Sequence, residues 1–578
     1  MKQAKFLSAA LLAAVAVIAT PAVNAATVVK VLGAGSSAMW QTAAIGAFND
    51  LAGGVVQGAQ HYTVKGSCPT NGNCAQIVDS RSGSILKEGG NLWVVWTSDL
   101  SKVWAYISVH SVVGNRAFFA KPRTTLQIDP ETEISNGVPS SQTNLISSVL
   151  FGGTSDASAL PSAVYNALTT SPSNTITAGF TDIRPEDAKF ATCRALNPIN
   201  TTNWSGLGYG TGGANCTSLT GASIKSAYPG SSATANPVNF NLVGTDPITG
   251  QTLHPFTTFD VGAAPITFLV NRKNANGLGF GGPGTPSITD ITTAGAQALY
   301  NGSNGTTSVF SGGPSTPAAL TVVLREPLSG TMNTTEFTTF RCQNYNAGPC
   351  AITTKPSYNN SQEVGVIPTS ATGNPLNQGG GGGTRVRAIG TGEVVGSWVL
   401  NTTDSIGYAF FSFGNVSKIA GTTTSPNFNY GYLTLNGIDP INPSYTNGAL
   451  YTCVSPTGVQ GVCPASPGTS FPNLRNGTYT AWSVLRAVTD GASVNSTNYI
   501  NTLSLVNAIQ ANVNSTVPDF VPYKPVGGDP GLQFYRSHFP QAGFHANNGL
   551  SGQHESGGDV GGCIEPLVPA PGTTGCHQ

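Results

Sequence analysis

Arg325, Ser329, Gly330 and Thr331 form a short group of residues with the chemistry to bind an anion. An arginine offers paired N–H donors that suit a tetrahedral oxyanion, the two hydroxyls add further donors, and glycine lets the backbone approach closely. The group follows a β-branched run at residues 319–324 and precedes apolar residues at helical spacing, which predicts a strand, a loop and a helix start. Unpaired N–H groups and the helix dipole favour an anion at such a start. An ordinary capped junction is the alternative interpretation.

A second junction of the same kind lies near the beginning of the chain. Residues 27–32 predict a strand, two glycines then permit a tight turn, and residues 40–51 predict a helix. In this arrangement the hydroxyl of Ser37 and the backbone N–H of Ala38 face whatever binds at the helix start. Two such junctions far apart in sequence favour a shared site more than either does alone, although a capped helix explains each one separately.

An acidic residue, Asp182, ends a third predicted strand at residues 175–180 and lies beside hydroxyl side chains. It is either part of the same polar site or the cap of a helix that begins near Pro185. Its position at the end of a strand makes Asp182 a candidate residue of the anion site.

The elements needed to position these residues alternate between strands and helices. We predict strands at 261–271 and 405–413, helices at 160–168, 291–300 and 390–400, and β structure throughout 91–120. The pattern indicates an α/β fold. Residues 196–258 are rich in Gly, Ser, Thr and Asn and read as a surface insertion, and amphipathic segments are expected at 482–488 and 499–509.

Composition excludes several classes of function. Only 9% of the 578 residues are charged, and 26 basic residues balance 26 acidic ones. No net field is therefore available to attract nucleic acid or an acidic membrane surface. A chain of this length has room for more than one domain.

The beginning of the chain and its cysteines predict export. Residues 1–25 have a basic start, an apolar run and a small-residue cleavage site, which is typical of a secretory signal peptide, and no later run is long enough to cross a membrane. Export favours disulfides, and the spacing of the ten cysteines favours five local pairs. The expected pairs are Cys68 with Cys74, Cys193 with Cys216, Cys342 with Cys350, Cys453 with Cys463, and Cys563 with Cys576.

The order of several motifs resembles the phosphate-binding periplasmic protein family of ABC importers. The motifs are GAGSS at 33–37, GFTDIRPEDA at 179–188, VGAAPITFLVN at 261–271, ITDITTAGAQALYNG at 288–302, REPLSGT at 325–331 and SIGYAFF at 405–411. The resemblance implies an α/β, two-lobed type II periplasmic binding protein fold, with a mixed sheet in each lobe and additional β and loop insertions. The implied lobes are 26–262 with 405–578, and 263–404.

The resemblance also implies a ligand set. Phosphate oxygens would contact Ser37 and the Ala38 amide from the first lobe and Arg325, Ser329, Gly330 and Thr331 from the second, with Asp182 as the acidic ligand. A carboxylate repels an anion unless that anion carries a proton to donate, so Asp182 would favour phosphate over sulfate.

Asp99, in the sequence Thr-Ser-Asp, is a second candidate for the acidic position. In this family a serine opens a helix before the acidic residue. This chain has no clear counterpart of that serine, and Ser82 and Ser155 are both possible. Relatives often have an acidic residue where this chain has Pro327.

The implied function is capture of inorganic phosphate outside the cytoplasm, in the periplasm or after secretion, by a monomer without a lipid anchor that delivers it to an ABC importer permease. The resemblance implies no catalytic residue, metal or cofactor. Two alternatives stay open: a binding protein for another oxyanion, and a secreted β-rich surface or adhesive protein, which the low charge and abundant small polar residues would also fit. An enzyme has no positive support, because no nucleophile motif lies between a predicted strand and helix.

Overall fold

The computed structural model describes the parts of the chain that form and surround the predicted strands. These are residues 26–54, 60–64, 74–81, 86–129, 145–189, 240–279, 288–301, 304–325, 328–339, 382–412, 430–441, 470–515 and 519–532, apart from a few positions within these ranges, with short strand segments at 453–454, 460–461, 534–536 and 564–566. The predicted signal peptide lies outside them, as does at least one cysteine of each predicted pair.

The described residues form twenty strands, seven α-helices and four short helical segments of other types. The strands are β1 Val28–Gly35, β2 His61–Val64, β3 Cys74–Asp79, β4 Leu86–Gly89, β5 Asn91–Trp96, β6 Lys102–Ser108, β7 Thr125–Asp129, β8 Ala178–Thr181, β9 Phe256–Asn271, β10 Asp290–Ile291, β11 Thr321–Arg325, β12 Thr384–Ala388, β13 Ser405–Phe410, β14 Tyr430–Leu435, β15 Cys453–Val454, β16 Gln460–Gly461, β17 Trp482–Asp490, β18 Val521–Pro522, β19 Phe534–Arg536 and β20 Ile564–Pro566. The α-helices are α1 Trp40–Gly46, α2 Ser111–Phe119, α3 Ser162–Thr169, α4 Thr293–Asn301, α5 Gly330–Thr335, α6 Pro472–Arg475 and α7 Ser496–Ser515. Segments of π-helix lie at Ala47–Leu51 and Glu393–Val399, and segments of 3₁₀-helix at Ser148–Phe151 and Thr307–Val309.

A mixed sheet of 13 strands dominates the described fold. Its strands lie in the order β12, β11, β13, β9, β17, β8, β1, β6, β5, β2, with β10, β14 and β18 attached beside this path. A second sheet of three strands joins β4, β3 and β7. The α/β class and the mixed strand directions predicted from sequence are therefore confirmed.

The long strand β9 connects two groups within the large sheet. Its first part pairs antiparallel with β17, whereas its last residues, Ile266 to Asn271, pair with β13. In the first group β1 lies parallel to both β6 and β8, and in the second β11 lies parallel to β12 and β13. Because the carboxyl ends of parallel strands meet at one edge, each group presents its strand-to-helix loops together.

Helix α2 packs directly on the first group of strands, and glycine makes that contact possible. A Cβ on Gly114 would lie 2.5 Å from the carbonyl oxygen of Ala34, closer than two such atoms can approach. The helix also contacts β8, where a Cβ on Gly179 would lie 3.0 Å from the Gly114 oxygen. The glycine therefore fixes how deeply the start of α2 reaches toward the edge where β1 and β8 end.

Most of the predicted elements are confirmed, and two interpretations are wrong. Strands β1, β8, β9, β11 and β13 and helices α1, α3 and α4 lie where the sequence patterns indicate. The expected β structure at 91–120 ends at Ser108, however, and residues 111–119 are helix α2. The apolar residues of this run suggested strands, but every residue of α2 is buried, and tertiary packing outweighs such a weak local preference.

The structure also bears on the segments at 482–488 and 196–258. The segment at 482–488, expected to be amphipathic, is part of strand β17, which lies between β8 and β9 in the sheet and is buried at every residue. Most of the expected insertion at 196–258 lies outside the described residues. Across the parts of the chain that are described, no helix combines the length and the apolar character required to cross a membrane.

Candidate functional site

Polar side chains collect where the strands of both groups end. In the first group Gly35 lies opposite Ser108 of β6 and Phe180 of β8, so the residues that follow these strands are neighbours. These following residues are Ser36 and Ser37 after β1, Ser111 after β6, and Asp182 after β8. In the second group Arg325 lies opposite Ala388, which places the residues after β11 beside those after β12.

The carboxylate of Asp182 connects the two groups. The hydroxyl of Ser111 donates a hydrogen bond to Oδ1, and that of Thr331, from α5 of the second group, donates to Oδ2 at 3.4 Å. The backbone carbonyl of Asp182 accepts from the hydroxyls of Ser483 at 2.8 Å and Thr334 at 3.4 Å. Asp182 is only 1% exposed, so its side chain and its backbone oxygen both rely on protein donors.

Burial raises the pKa of the Asp182 carboxyl above its ordinary value of 3.8. The hydrogen bonds from Ser111 and Thr331 and the charge of Arg325 oppose this shift, but loss of water around the carboxylate has the larger effect. The same carboxylate adds to the effect of burial in raising the pKa of Tyr106, whose hydroxyl donates to the carbonyl of Ser36. Asp182 is therefore a carboxyl that gains or shares a proton more readily than an exposed aspartate does.

Glycine at position 330 is required by the approach of α5 to Asp182. A Cβ built on Gly330 would lie 1.6 Å from Oδ1 of Asp182 and 2.6 Å from the hydroxyl of Ser111. A larger residue at this position would have to displace the Asp182 carboxylate and the Ser111 hydroxyl, or α5 itself. The sequence motif Ser-Gly-Thr thus has a steric reason as well as a chemical one.

Arg325 lies beside Asp182 in the second group and is 3% exposed. Its Nη1 donates to the hydroxyl of Thr391 at 2.9 Å, and its backbone N–H donates to the hydroxyl of Tyr408 at 3.2 Å. The Thr391 hydroxyl also lies 3.4 Å from that of Ser37 in the first group. The charge of Arg325 acts on the Asp182 carboxyl and opposes the rise of its pKa, so the two residues lie close together. The residues around Asp182 and those around Arg325 therefore belong to one site.

The remaining predicted residues lie at the same edge, with different partners. Ser329 accepts from the backbone N–H of Met332 at 3.3 Å, which caps α5 and leaves the hydroxyl proton of Ser329 to donate elsewhere. The N–H of Ala38, which the resemblance assigns to phosphate, donates instead to the hydroxyl of Ser36 at 3.2 Å. Thus Ser37, Asp182, Arg325, Ser329, Gly330 and Thr331 converge, and the Ala38 amide has a local acceptor.

The structure adds two hydroxyls that the sequence did not identify. Ser111 lies at the start of α2 and contacts Asp182, and it was missed because 111–119 was interpreted as β structure. Thr391 lies in the sequence Gly-Thr-Gly after β12, at the start of a helix that was predicted. In both cases a hydroxyl between a parallel strand and a helix was the available signal.

The alternative candidate for the acidic position, Asp99, lies elsewhere. Asp99 belongs to the turn between β5 and β6, at the opposite end of β6 from Ser111, where it accepts from Thr97 and from the backbone and side chain of Ser101. Those hydrogen bonds, chiefly the one from Thr97, lower its pKa to about 2. Ser155 is exposed, and Ser82 lies outside the described residues.

The described residues contain no cluster of three or more His, Cys, Asp or Glu side chains that could hold a metal ion. The chemistry at the edge of the sheet is instead that of one guanidinium, one carboxyl and several hydroxyls. Such a set can surround an oxyanion with donors and can accept one proton from it.

No protein-family model matches the chain, and no curated protein matches it. Three solved structures illustrate what it is similar to. A phosphate binding protein from Stenotrophomonas maltophilia is 13% identical over 87% of this chain and 99% of that one, with a TM-score of 0.30. An ABC-type phosphate transport receptor from Vibrio cholerae is 12% identical over 46% and 71%, with a TM-score of 0.24.

The third is a candidate phosphate ABC transporter substrate-binding protein with bound phosphate from Clostridium perfringens, 14% identical over 44% of this chain and 65% of that one, with a TM-score of 0.24. The chain therefore spans less than two thirds of that protein. Because all three TM-scores are 0.30 or lower, these similarities do not assign the chain to a family, and the ligand has to be inferred from the side chains of the site.

Proposed function

We propose that the protein binds inorganic phosphate between its two groups of strands. The observation that carries the proposal is the buried carboxyl of Asp182, which accepts from Ser111 and Thr331 beside the guanidinium of Arg325. Hydroxyls and one arginine supply donors on several sides, which suits a tetrahedral oxyanion. A buried carboxyl among these donors has no favourable role toward a fully deprotonated anion.

The carboxyl would act as the selectivity element. Phosphate keeps at least one proton near neutral pH and can donate it to Asp182, whereas sulfate has none to donate and would leave two negative groups facing each other in a buried site. The raised pKa supports this role, because a carboxyl with greater affinity for a proton shares one more readily with its ligand. Arsenate has the same proton and the same shape, so it should bind like phosphate.

Binding would depend on two lobes joined by β9. The sequence divides the chain into 26–262 with 405–578, and 263–404. The pairing of β13 and β14 with the last residues of β9 supports extending the second lobe beyond residue 404. The contacts of Asp182 with Thr331 and of Ser37 with Thr391 would then close one lobe on the other.

As a hypothesis for its biological role, the protein is an extracytoplasmic monomer that delivers phosphate to an ABC importer permease. This part of the proposal rests on the sequence resemblance and on the predicted signal peptide. Binding and release require no catalytic residue and no cofactor.

Equilibrium titration with phosphate, arsenate and sulfate, followed by heat and by tryptophan fluorescence, tests the proposal. Phosphate and arsenate should bind at a single saturable site, and sulfate should bind much more weakly. Equal binding of all three would contradict the role of Asp182, and binding of none would contradict the function.

A further inference from the structure

Thr391 lies between the two groups of strands. Its side chain is buried, with 6% of the residue exposed, and its hydroxyl is the acceptor for Nη1 of Arg325 at 2.9 Å. The same hydroxyl lies 3.4 Å from that of Ser37, which follows β1 in the first group. One oxygen therefore contacts both the charged residue of the site and the opposite group.

We propose that Thr391 is a positioning residue that sets the affinity of the anion site through Arg325. This inference rests on the phosphate role proposed above and deepens it. A guanidinium presents its donors in a fixed plane, so its usefulness to an oxyanion depends on the orientation of that plane. The bond from Nη1 to Thr391 fixes one edge of the plane, and the backbone bond from Arg325 to Tyr408 fixes the base of the side chain.

The neutral character of the hydroxyl is part of this role. A carboxylate at position 391 would orient the guanidinium equally well, but it would also cancel much of the positive charge that the anion needs. A hydroxyl accepts the hydrogen bond and leaves that charge available. The contact with Ser37 adds a second effect, because an Arg325 fixed by Thr391 is held at a set distance from the first group of strands.

The test compares Thr391→Val, which keeps the shape and removes the hydroxyl, with Thr391→Ser, which keeps the hydroxyl. Thr321→Val is a matched control, because Thr321 lies at the opposite end of β11 from Arg325. Each variant of the full chain is titrated with inorganic phosphate at one pH where the monoanion dominates and one where the dianion does. Thermal unfolding of each variant establishes that it is folded.

We expect Thr391→Val to weaken phosphate binding by about tenfold, at the low end of the effect of losing one hydrogen bond to a charged group, because the guanidinium itself is retained. The loss should be greater for the dianion, because its attraction to Arg325 is stronger. Thr391→Ser should restore affinity to within about twofold, and Thr321→Val should leave it unchanged. In an Arg325→Lys background Thr391→Val should have little further effect, since it acts through the guanidinium.

Three results would overturn the inference while leaving the proposed function intact: unchanged phosphate affinity in Thr391→Val, a Thr391→Ser variant as weak as Thr391→Val, or effects of Thr391→Val and Arg325→Lys that simply add. If the wild-type protein binds no phosphate at all, the proposed function fails and this inference fails with it.

Discussion

The hydroxyl of Ser111 donates a hydrogen bond to the carboxylate of Asp182, although 71 residues separate them in the chain. Parallel pairing brings them together, because β6 and β8 both flank β1 and end at the same edge of the sheet. A carboxyl in this position is buried, hydrogen-bonded and next to an arginine, which is why the proposed selectivity depends on it.

Replacing Asp182 by Asn should reduce the preference for phosphate over sulfate by about tenfold to hundredfold. A hydrogen bond to a charged group contributes roughly 1.5–3 kcal/mol, and the amide no longer repels a fully deprotonated anion. The measurement is the ratio of the two dissociation constants at neutral pH. Asp99→Asn is the control, since Asp99 lies in an exposed turn, and an unchanged ratio in Asp182→Asn would rule out Asp182 as the selectivity element.

Removal of the Ser111 hydroxyl by substitution with Ala should weaken phosphate binding by about tenfold, because Asp182 loses the donor that orients its carboxylate. Titration of Ser111→Ala beside Ser155→Ala measures this, since Ser155 is exposed. Equal affinity of the two variants would show that Ser111 has no part in the site.

Gly330→Ala should both destabilise the protein and abolish tight phosphate binding. The added Cβ would lie 1.6 Å from Oδ1 of Asp182, so accommodating it must displace either that carboxylate from its hydrogen bonds or α5 from the first group of strands. Overpacking of this kind typically costs about 1–3 kcal/mol. Gly396→Ala is the control, because a Cβ there meets nothing within 4 Å. Denaturant unfolding and phosphate titration of both variants provide the comparison, and wild-type values for Gly330→Ala would contradict the described approach.

The raised pKa of Asp182 predicts a pH dependence of stability with a definite sign. The folded state binds this proton more tightly than the unfolded state, so the contribution is fully present below the ordinary value of 3.8 and is lost as the pH rises through the folded pKa. Relative to Asp182→Asn, which does not titrate, the wild-type protein should therefore lose stability as the pH rises above 3.8. Urea unfolding across this range measures the difference, and a difference that grows in favour of the wild type would contradict the burial effect.

Asp99 should show the opposite sign. Its pKa is lowered to about 2 by hydrogen bonds from Thr97 and Ser101, so its contribution is present above 3.8 and is lost as the pH falls toward 2. Comparison of Asp99→Asn with wild type by the same unfolding experiment distinguishes the exposed aspartate from the buried one. If the wild type stays more stable than Asp99→Asn as the pH falls from 3.8 toward 2, the hydrogen bonds of this turn do not lower the pKa of Asp99.

Local sequence patterns predicted the secondary structure correctly in two of the segments that matter for the site. The motif from Arg325 to Thr331 predicted a strand, a loop and a helix start, and strand β11 and helix α5 lie where it placed them. The uninterrupted apolar run at 261–271 likewise predicted a buried strand, although β9 begins earlier, at Phe256.

Sequence reasoning failed where packing between distant segments decides the outcome. The run from Ser111 to Phe119 has β-branched residues, yet it is helical because Gly114 allows it to pack on β1 and β8. The partnership of Thr391 with Arg325 and Ser37 depends on which strands are parallel neighbours, and no local pattern contains that information. The choice between Asp182 and Asp99 was undecided for the same reason.

The most direct test of the central claim is a crystal structure of the protein with arsenate, in which anomalous scattering locates the arsenic atom independently of any assumption about the site. We predict a single strong peak with its oxygens within hydrogen-bond distance of Arg325, Asp182 and Thr331. A peak elsewhere in the molecule, or no peak at an arsenate concentration that saturates binding in solution, would contradict the account.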